Sequence, residues 1–276
     1  MGLCTQQCSH EHCETGWLHL FRSRSAPIFE GRWGCTPRCM EAIIADLVRN
    51  RVEGWDPGRG AHTLRMPLGL ILLNRGWITR QELRSALEAQ SLAGCGRIGE
   101  WLQRLTGISA STIAKGLAIQ WNCAALLSGV PGIEPVPVLM PAYLQKRYGL
   151  MLLRQGQEGG FYLAAPNRAD YAACRAAEHM LAARVEPAFL EDAAWSDLPD
   201  DEATVGPLPP GQDGAAAQIC ALVEQRRPVD ARLVRFHDHL WLRMWLCHGR
   251  RIEAEDTVFS LRTESVVSPA ASLRAI

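Results

Sequence analysis

The feature that most constrains this chain is a segment that occurs twice. Leu68-Gly69-x-x-Leu72-Leu73-x-x-Gly76 is followed by Ile78, Leu83, Leu87 and Gln90; thirty positions later Ile98-Gly99-x-x-Leu102 is followed by Gly107, Ile108, Ile113, Leu117 and Gln120. Gly69 and Gly99, Leu87 and Leu117, and Gln90 and Gln120 keep the offset of 30, and the middle glycine slips by one. Self-similarity of this kind signals one supersecondary unit used twice, and the spacing is that of a helical hairpin. Leu68 to Leu73 starts a short helix that Gly76 can end in the left-handed conformation, and Thr79 with Glu82 three residues on reads as a capping box for the next. In the second copy Ser109 can cap. Leu83, Leu87 and Gln90 fall at i, i+4 and i+7 on one helix face, so a glutamine closes an apolar stripe; Ile113, Leu117 and Gln120 do the same. Paired glutamines beside paired glycines suit a ligand, and duplication can equally preserve them for packing.

Pro67 to Gln90 and Arg97 to Gln120 each fill a frame of 24 positions. The frame resembles RLGxxLLxxGxIxxxxLxxALxxQ, the paired motif of the MshEN, or GspE N-terminal, family, which is the N-terminal domain of type II secretion and type IV pilus assembly ATPases. The likeness continues through Pro141-Ala-Tyr-Leu-Gln-Lys-Arg-Tyr148, strand-like Met151-Leu-Leu153, Phe161 to Asp170, a helix, and Val185-Glu-Pro-Ala-Phe189, so it covers about residues 65 to 195. The resemblance implies a site for cyclic di-GMP. Gly69 and Gly99 would let the backbone approach the ligand, with Gly76 and Gly107 at the turns of the motif. Leu68, Leu72, Leu73, Leu83, Leu87, Ile98, Leu102, Ile113 and Leu117 would form the apolar groove, and Gln90, Arg97 and Gln120 the polar contacts. A planar guanidinium suits a guanine nucleotide because it stacks on the base and donates in pairs to O6 and N7, or to phosphate. The first motif departs from the pattern: Pro67 stands where the arginine belongs, which weakens or silences that half-site, and Arg65 is the nearest replacement.

The ATPase itself is excluded. Only Lys115 and Lys146 are lysines, followed by Gly116 and Arg147, whereas a phosphate loop needs Lys followed by Ser or Thr. Twenty-nine basic residues balance 29 acidic ones, and aromatics make up 7%, which weighs against bulk nucleic-acid binding. The longest apolar stretches are far below the roughly 20 residues that span a bilayer, and the start has no signal-peptide core, so a cytoplasmic protein without membrane insertion is expected. No paired carboxylates or nucleophile elbow suggest an enzyme, and no catalytic residue is assigned.

Half of the ten cysteines lie between Cys4 and Cys39. Cys35-Thr-Pro-Arg-Cys39 follows the turn Glu30-Gly-Arg-Trp33 and precedes the apolar-periodic Ile43, Ile44, Leu47 and Val48. That order resembles the second knuckle of a treble-clef zinc site, in which a hairpin gives one thiolate and a first helical turn the other. Zinc needs four N or S ligands, and Cys8, Cys13, Cys35 and Cys39 are the preferred set, with His10 or Cys4 able to replace one. The competing reading is a Cys/His-rich tail with free thiols. Cys95, Cys123, Cys174, Cys220 and Cys247 are scattered and read as packing residues.

The expected fold is α+β: duplicated helical hairpins followed by a small α/β subdomain, with an N-terminal zinc knuckle and a small C-terminal helix-plus-hairpin unit. The boundaries fall at 1–60 (knuckle plus helix), 64–195 (the motif domain), 196–214 (a Pro- and Gly-rich linker), 215–263 (the C-terminal unit) and 264–276 (a tail). In that unit Ala215 to Glu224 reads as a helix, and Arg232 to Phe236 and Leu240 to Leu246 as strands turning at His237-Asp238-His239. The function expected is that of a non-enzymatic regulatory or adaptor protein binding cyclic di-GMP. The alternative is a docking module for a secretion- or pilus-type protein partner that binds no nucleotide.

Overall fold

The computed structural model describes residues 8–14, 27–53, 65–126, 133–136, 139–155, 160–166, 168–190, 204–207, 212–247 and 254–261. Cys4, the residues from 264 onward and much of the 196–214 segment lie outside them. Helices and strands are mixed throughout. In chain order, α1 (Pro37–Glu53) belongs to a unit made of 1–56 and 203–276. A second unit, 57–202, carries α2 (Leu68–Asn74), α3 (Arg80–Ala93), α4 (Ile98–Thr106), α5 (Ala110–Trp121), β1 (Ala124–Leu126), β2 (Ile133–Pro135), α6 (Ala142–Tyr148), β3 (Met151–Gln155), β4 (Gly160–Ala165), α7 (Tyr171–Leu181) and β5 (Val185–Leu190). The chain then returns to the first unit with β6 (Thr204–Pro207), α8 (Gln212–Arg226), β7 (Asp230–Phe236), β8 (His239–Trp245) and β9 (Ala254–Ser260).

The duplicated segments are two helix pairs, α2–α3 and α4–α5. Both second helices begin at the same position of the repeat because Thr79 and Ser109 cap them, accepting the backbone N–H of Glu82 and Thr112. At Thr79 the box is reciprocal: its N–H donates to the Glu82 carboxylate at 2.6 Å. That bond and the Thr79 hydroxyl hold the Glu82 carboxyl below its ordinary range. The one-residue slip of the middle glycine has a physical cause. α4 runs two residues longer than α2 and closes directly on left-handed Gly107 (φ 72°), whereas α2 ends on Arg75 before left-handed Gly76 (φ 69°).

The pairs interlock crosswise, α3 against α4 and α2 against α5. Leu72 and Leu102, equivalent in the two copies, are both fully buried in the shared core with Leu68, Ile78, Leu83, Ala86 and Ile113. Each of these leucines and isoleucines contributes about 1.5–3 kcal/mol of burial. Gly116 lets α5 approach α2: a Cβ there would stand 2.8 Å from a methyl of Leu68 and 2.8 Å from one of Leu72.

A five-stranded sheet, ordered β1-β5-β4-β3-β2, follows in the same unit. β1, β5 and β4 are parallel; β3 and β2 run antiparallel to their neighbours. The buried Gln145 ties α6 to β3, donating to the Met140 carbonyl and accepting the Leu152 N–H.

The other unit is a four-stranded sheet, β6-β9-β8-β7, whose core includes Phe29, Met40, Ile43, Ile44 and Val48 with Ile219, Val223, Leu233, Leu242 and Phe259. Composition separates 1–60 from 215–263 along the sequence, and α1 and α8 share this one core. The expected hairpin is present as β7 and β8, turning at His237 (φ 52°) and Asp238. Two described strands of this unit escape the sequence reading: β9, and β6, which lies inside the Pro- and Gly-rich segment and pairs parallel with β9. Among the described residues no helix is long and apolar enough to cross a membrane.

Candidate functional site

The second copy of the repeat lines a cleft of about 320 Å³. Seven of the expected ligand-binding residues meet there: Leu68 from α2, Arg97, Ile98 and Gly99 from the start of α4, and Ile113, Leu117 and Gln120 from α5. Glu100, Gln103, Ala110, Ala114, Pro166 and Leu190 complete the wall. Arg97 occupies the N-cap of α4 with extended backbone, so its side chain leaves the helix axis. The residue is exposed, and its guanidinium makes no hydrogen bond or ion pair with any described residue. Its own N–H donates to the Glu100 carboxylate at 3.4 Å. Ile98 and Gly99 stand in the first turn of α4, where N–H groups have no intrahelical acceptor and the helix dipole favours negative charge. The lining thus combines aliphatic side chains with one cation, Arg97, one carboxylate, Glu100, and backbone donors.

The remaining motif residues fall elsewhere. Leu72, Leu83 and Leu102 are interior residues of the helical core, and Leu73 is partly buried against it. Gly76 and Gly107 are turn glycines. Gly69 does not border the cleft: a Cβ there would lie 2.6 Å from a Leu83 methyl, so this glycine admits a side chain of its own copy. Gly99 has the same relation to Ile113 at 3.2 Å while also facing the cleft. Leu87, expected in the apolar groove, is 48% exposed, as is Leu70, with Met66 at 56%.

The paired glutamines have a role that sequence did not disclose. Gln90 Nε2 donates to the carbonyl of Gly96, immediately before the second motif, and Gln120 Nε2 donates to the carbonyl of Met66, immediately before the first, both at 2.9 Å. Each copy therefore clasps the entrance of the other. Arg65, the nearest substitute for the missing arginine, places its guanidinium carbon 3.6 Å from the Trp121 ring centroid, a cation–π stack. The carbonyl of Trp121 in turn accepts the Tyr171 hydroxyl.

In the other unit Cys8, Cys13, Cys35 and Cys39 bring their sulfurs within 4.8 Å of one another. His10 lies in the turn between the first two and outside this cluster. Of the cysteines read as packing residues, Cys174 and Cys220 are buried and Cys123 is half-buried, but Cys95 and Cys247 are exposed. Burial pushes the thiols of Cys123 and Cys174 up to about 12.

Fold and cleft together define a duplicated helical module joined to a small α/β sheet, with a largely aliphatic recess that also carries Arg97 and Glu100. No protein-family model matches the chain, and no curated protein matches it. Among solved structures, one described as "Structure of MshE with cdg" is similar at 23% identity with a TM-score of 0.36, over 48% of this chain and 96% of that one.

Proposed function

We propose that the unit 57–202 is a receptor for cyclic di-GMP in a cytoplasmic, non-enzymatic regulatory or adaptor protein of the MshEN type. The observation that carries this reading is the meeting of Leu68, Arg97, Ile98, Gly99, Ile113, Leu117 and Gln120 around one recess whose arginine has no described partner. Arg97 would stack on guanine or donate to it, the aliphatic wall would take the base and ribose, and the first turn of α4 would receive phosphate. At about 320 Å³ the recess sits at the low end of the roughly 300–1,000 Å³ range of ligand sites, enough for one nucleotide half. The first motif, with Pro67 where the arginine belongs, would contribute less to the other half.

Calorimetric titration of the full chain with cyclic di-GMP tests this. Heat of binding that is lost in Arg97→Ala supports it, because that side chain is exposed and serves no described packing contact. No heat and no rise in melting temperature at ligand concentrations well above micromolar would overturn it. A second reading is favoured by the exposed Met66, Leu70 and Leu87: docking on a secretion- or pilus-type protein with no nucleotide. Leu70→Glu and Leu87→Glu would abolish such docking and leave the Arg97 recess intact.

A further inference from the structure

We propose that Cys8, Cys13, Cys35 and Cys39 together hold one Zn²⁺ in a closed tetrahedral thiolate site that fastens residues 8–14 to the start of α1. This is independent of the nucleotide reading and concerns the other unit. Three sulfurs form a nearly equilateral triangle: Cys13 to Cys35 is 3.5 Å, and Cys35 to Cys39 and Cys39 to Cys13 are both 3.7 Å. A disulfide would bring two of them to about 2.05 Å. Four sulfurs placed about 2.3 Å from a central zinc stand about 3.8 Å apart, the edge of that tetrahedron. Cys8 completes the set and accepts the Cys35 N–H at 3.4 Å, a bond that favours a thiolate sulfur.

The surrounding chain is shaped to present these sulfurs. Gly34 passes so close to α1 that a Cβ would lie 2.6 Å from the Met40 nitrogen, which brings Cys35 beside Cys39 in the first helical turn. Thr36 Oγ1 accepts the Cys39 N–H. The first pair of cysteines is held by a turn in which Cys13 N–H donates to the His10 carbonyl, and Ser9 and Trp33 exchange two hydrogen bonds, at 2.9 and 3.1 Å. Trp33 packs on the cluster and is 6% exposed. Borderline-soft zinc suits four thiolates, and four protein ligands leave no position for water, so the site is structural rather than catalytic. Residues 8–14 contribute Cys8 and Cys13 to the small sulfur-rich cluster and no side chain to the aliphatic core of α1 and α8. The metal would supply the cohesion that this segment lacks.

Elemental analysis of the full chain, purified in reductant without added zinc, should find about one zinc per chain. Cys8→Ser and Cys39→Ser should lose it, and Cys95→Ser, exposed and in the other unit, should keep it. Because Cys8 lies outside α1 and its core, Cys8→Ser should keep the far-ultraviolet circular dichroism of the parent. Should the serine variants fail to fold, cobalt reconstitution of the parent chain carries the test: the intense visible absorption of tetrahedral cobalt thiolate supports the site, and a weak octahedral spectrum overturns it. Zinc far below one per chain after reconstitution in reductant, iron in its place, or disulfides among the four cysteines would each overturn the assignment.

Discussion

Gly116→Ala isolates the contact that locks the two repeats together. In the interior of an exposed helix this change would stabilise by about 1 kcal/mol, because alanine loses less backbone freedom than glycine. Here the new methyl would stand 2.8 Å from side-chain methyls of both Leu68 and Leu72, which are 8% and 0% exposed. Both leucines are packed in the helical core, so their methyls yield only by repacking there, and overpacking of this kind costs about 1–3 kcal/mol. The net expectation is a loss of about 1 kcal/mol. Gly99→Ala is the control, since its nearest neighbours are a methyl of Ile113 at 3.2 Å and one of Leu68 at 3.6 Å, and it should stay within about 0.5 kcal/mol of the parent. Urea denaturation followed by circular dichroism gives both values. In a Leu72→Ala background the clash with that residue is relieved, so the Gly116→Ala penalty should shrink, a coupling of about 1 kcal/mol in the double-mutant cycle. If Gly116→Ala proves as stable as Gly99→Ala, or shows no coupling to Leu72, the close approach of α2 and α5 is refuted.

Leu72→Ala and Leu102→Ala, equivalent and fully buried, should each cost about 2–5 kcal/mol, and a marked inequality in urea midpoints would show that the copies do not share one core. The Glu82 carboxyl is held below its ordinary value by the Thr79 N–H and hydroxyl, so its contribution is present above the unfolded pKa and is lost as pH falls through the folded one. The stability difference between the parent and Glu82→Gln should therefore be present at neutral pH and vanish in acid, as thermal melts across pH would show. At pH 8 iodoacetamide should label exposed Cys95 and Cys247 well before Cys123 and Cys174, whose burial pushes their thiols up to about 12, and peptide mass spectrometry reads the order. Asp256 accepts the Trp241 indole N–H at 2.7 Å and faces the buried Arg243 at 3.5 Å. Asp256→Ala should cost about 3 kcal/mol because it removes the carboxylate that faces a buried guanidinium, and an unchanged urea midpoint would contradict that role.

What the residues disclosed by themselves was local. The constant offset announced two hairpins, and Thr79-x-x-Glu82 and Ser109 marked their second helices, because capping is decided within four residues. The cross-pairing of α2 with α5 was not legible: it depends on which leucine sits over which glycine, a packing fact that no local pattern records. Gln90 and Gln120 read as the polar ends of apolar stripes, but their acceptors are backbone carbonyls, which leave no mark on side-chain pattern. β6 was hidden by its prolines and glycines, and β9 by the polar start of Ala254-Glu-Asp-Thr. The sharing of a core by α1 and α8 joins segments more than 150 residues apart, beyond the reach of any periodicity. For the cysteines, spacing preferred Cys8, Cys13, Cys35 and Cys39 but left open whether His10 or Cys4 replaces one; among the described residues these four sulfurs gather and His10 does not join them.

The reciprocal glutamine bonds have a consequence for how such a module could have arisen. A single hairpin owns a donor at its far end and an acceptor at its entrance, and cannot bring the two together within itself. Two identical hairpins related by a two-fold axis would close both bonds at once, in the manner of an isologous dimer. Tandem duplication places both partners in one chain, so closure no longer depends on concentration. It also frees the copies to diverge wherever the bonds do not pass through a side chain. The acceptor before the first motif is the main-chain carbonyl of Met66, indifferent to whether arginine or proline follows, so the first entrance can lose its charge while the second is still held in shape.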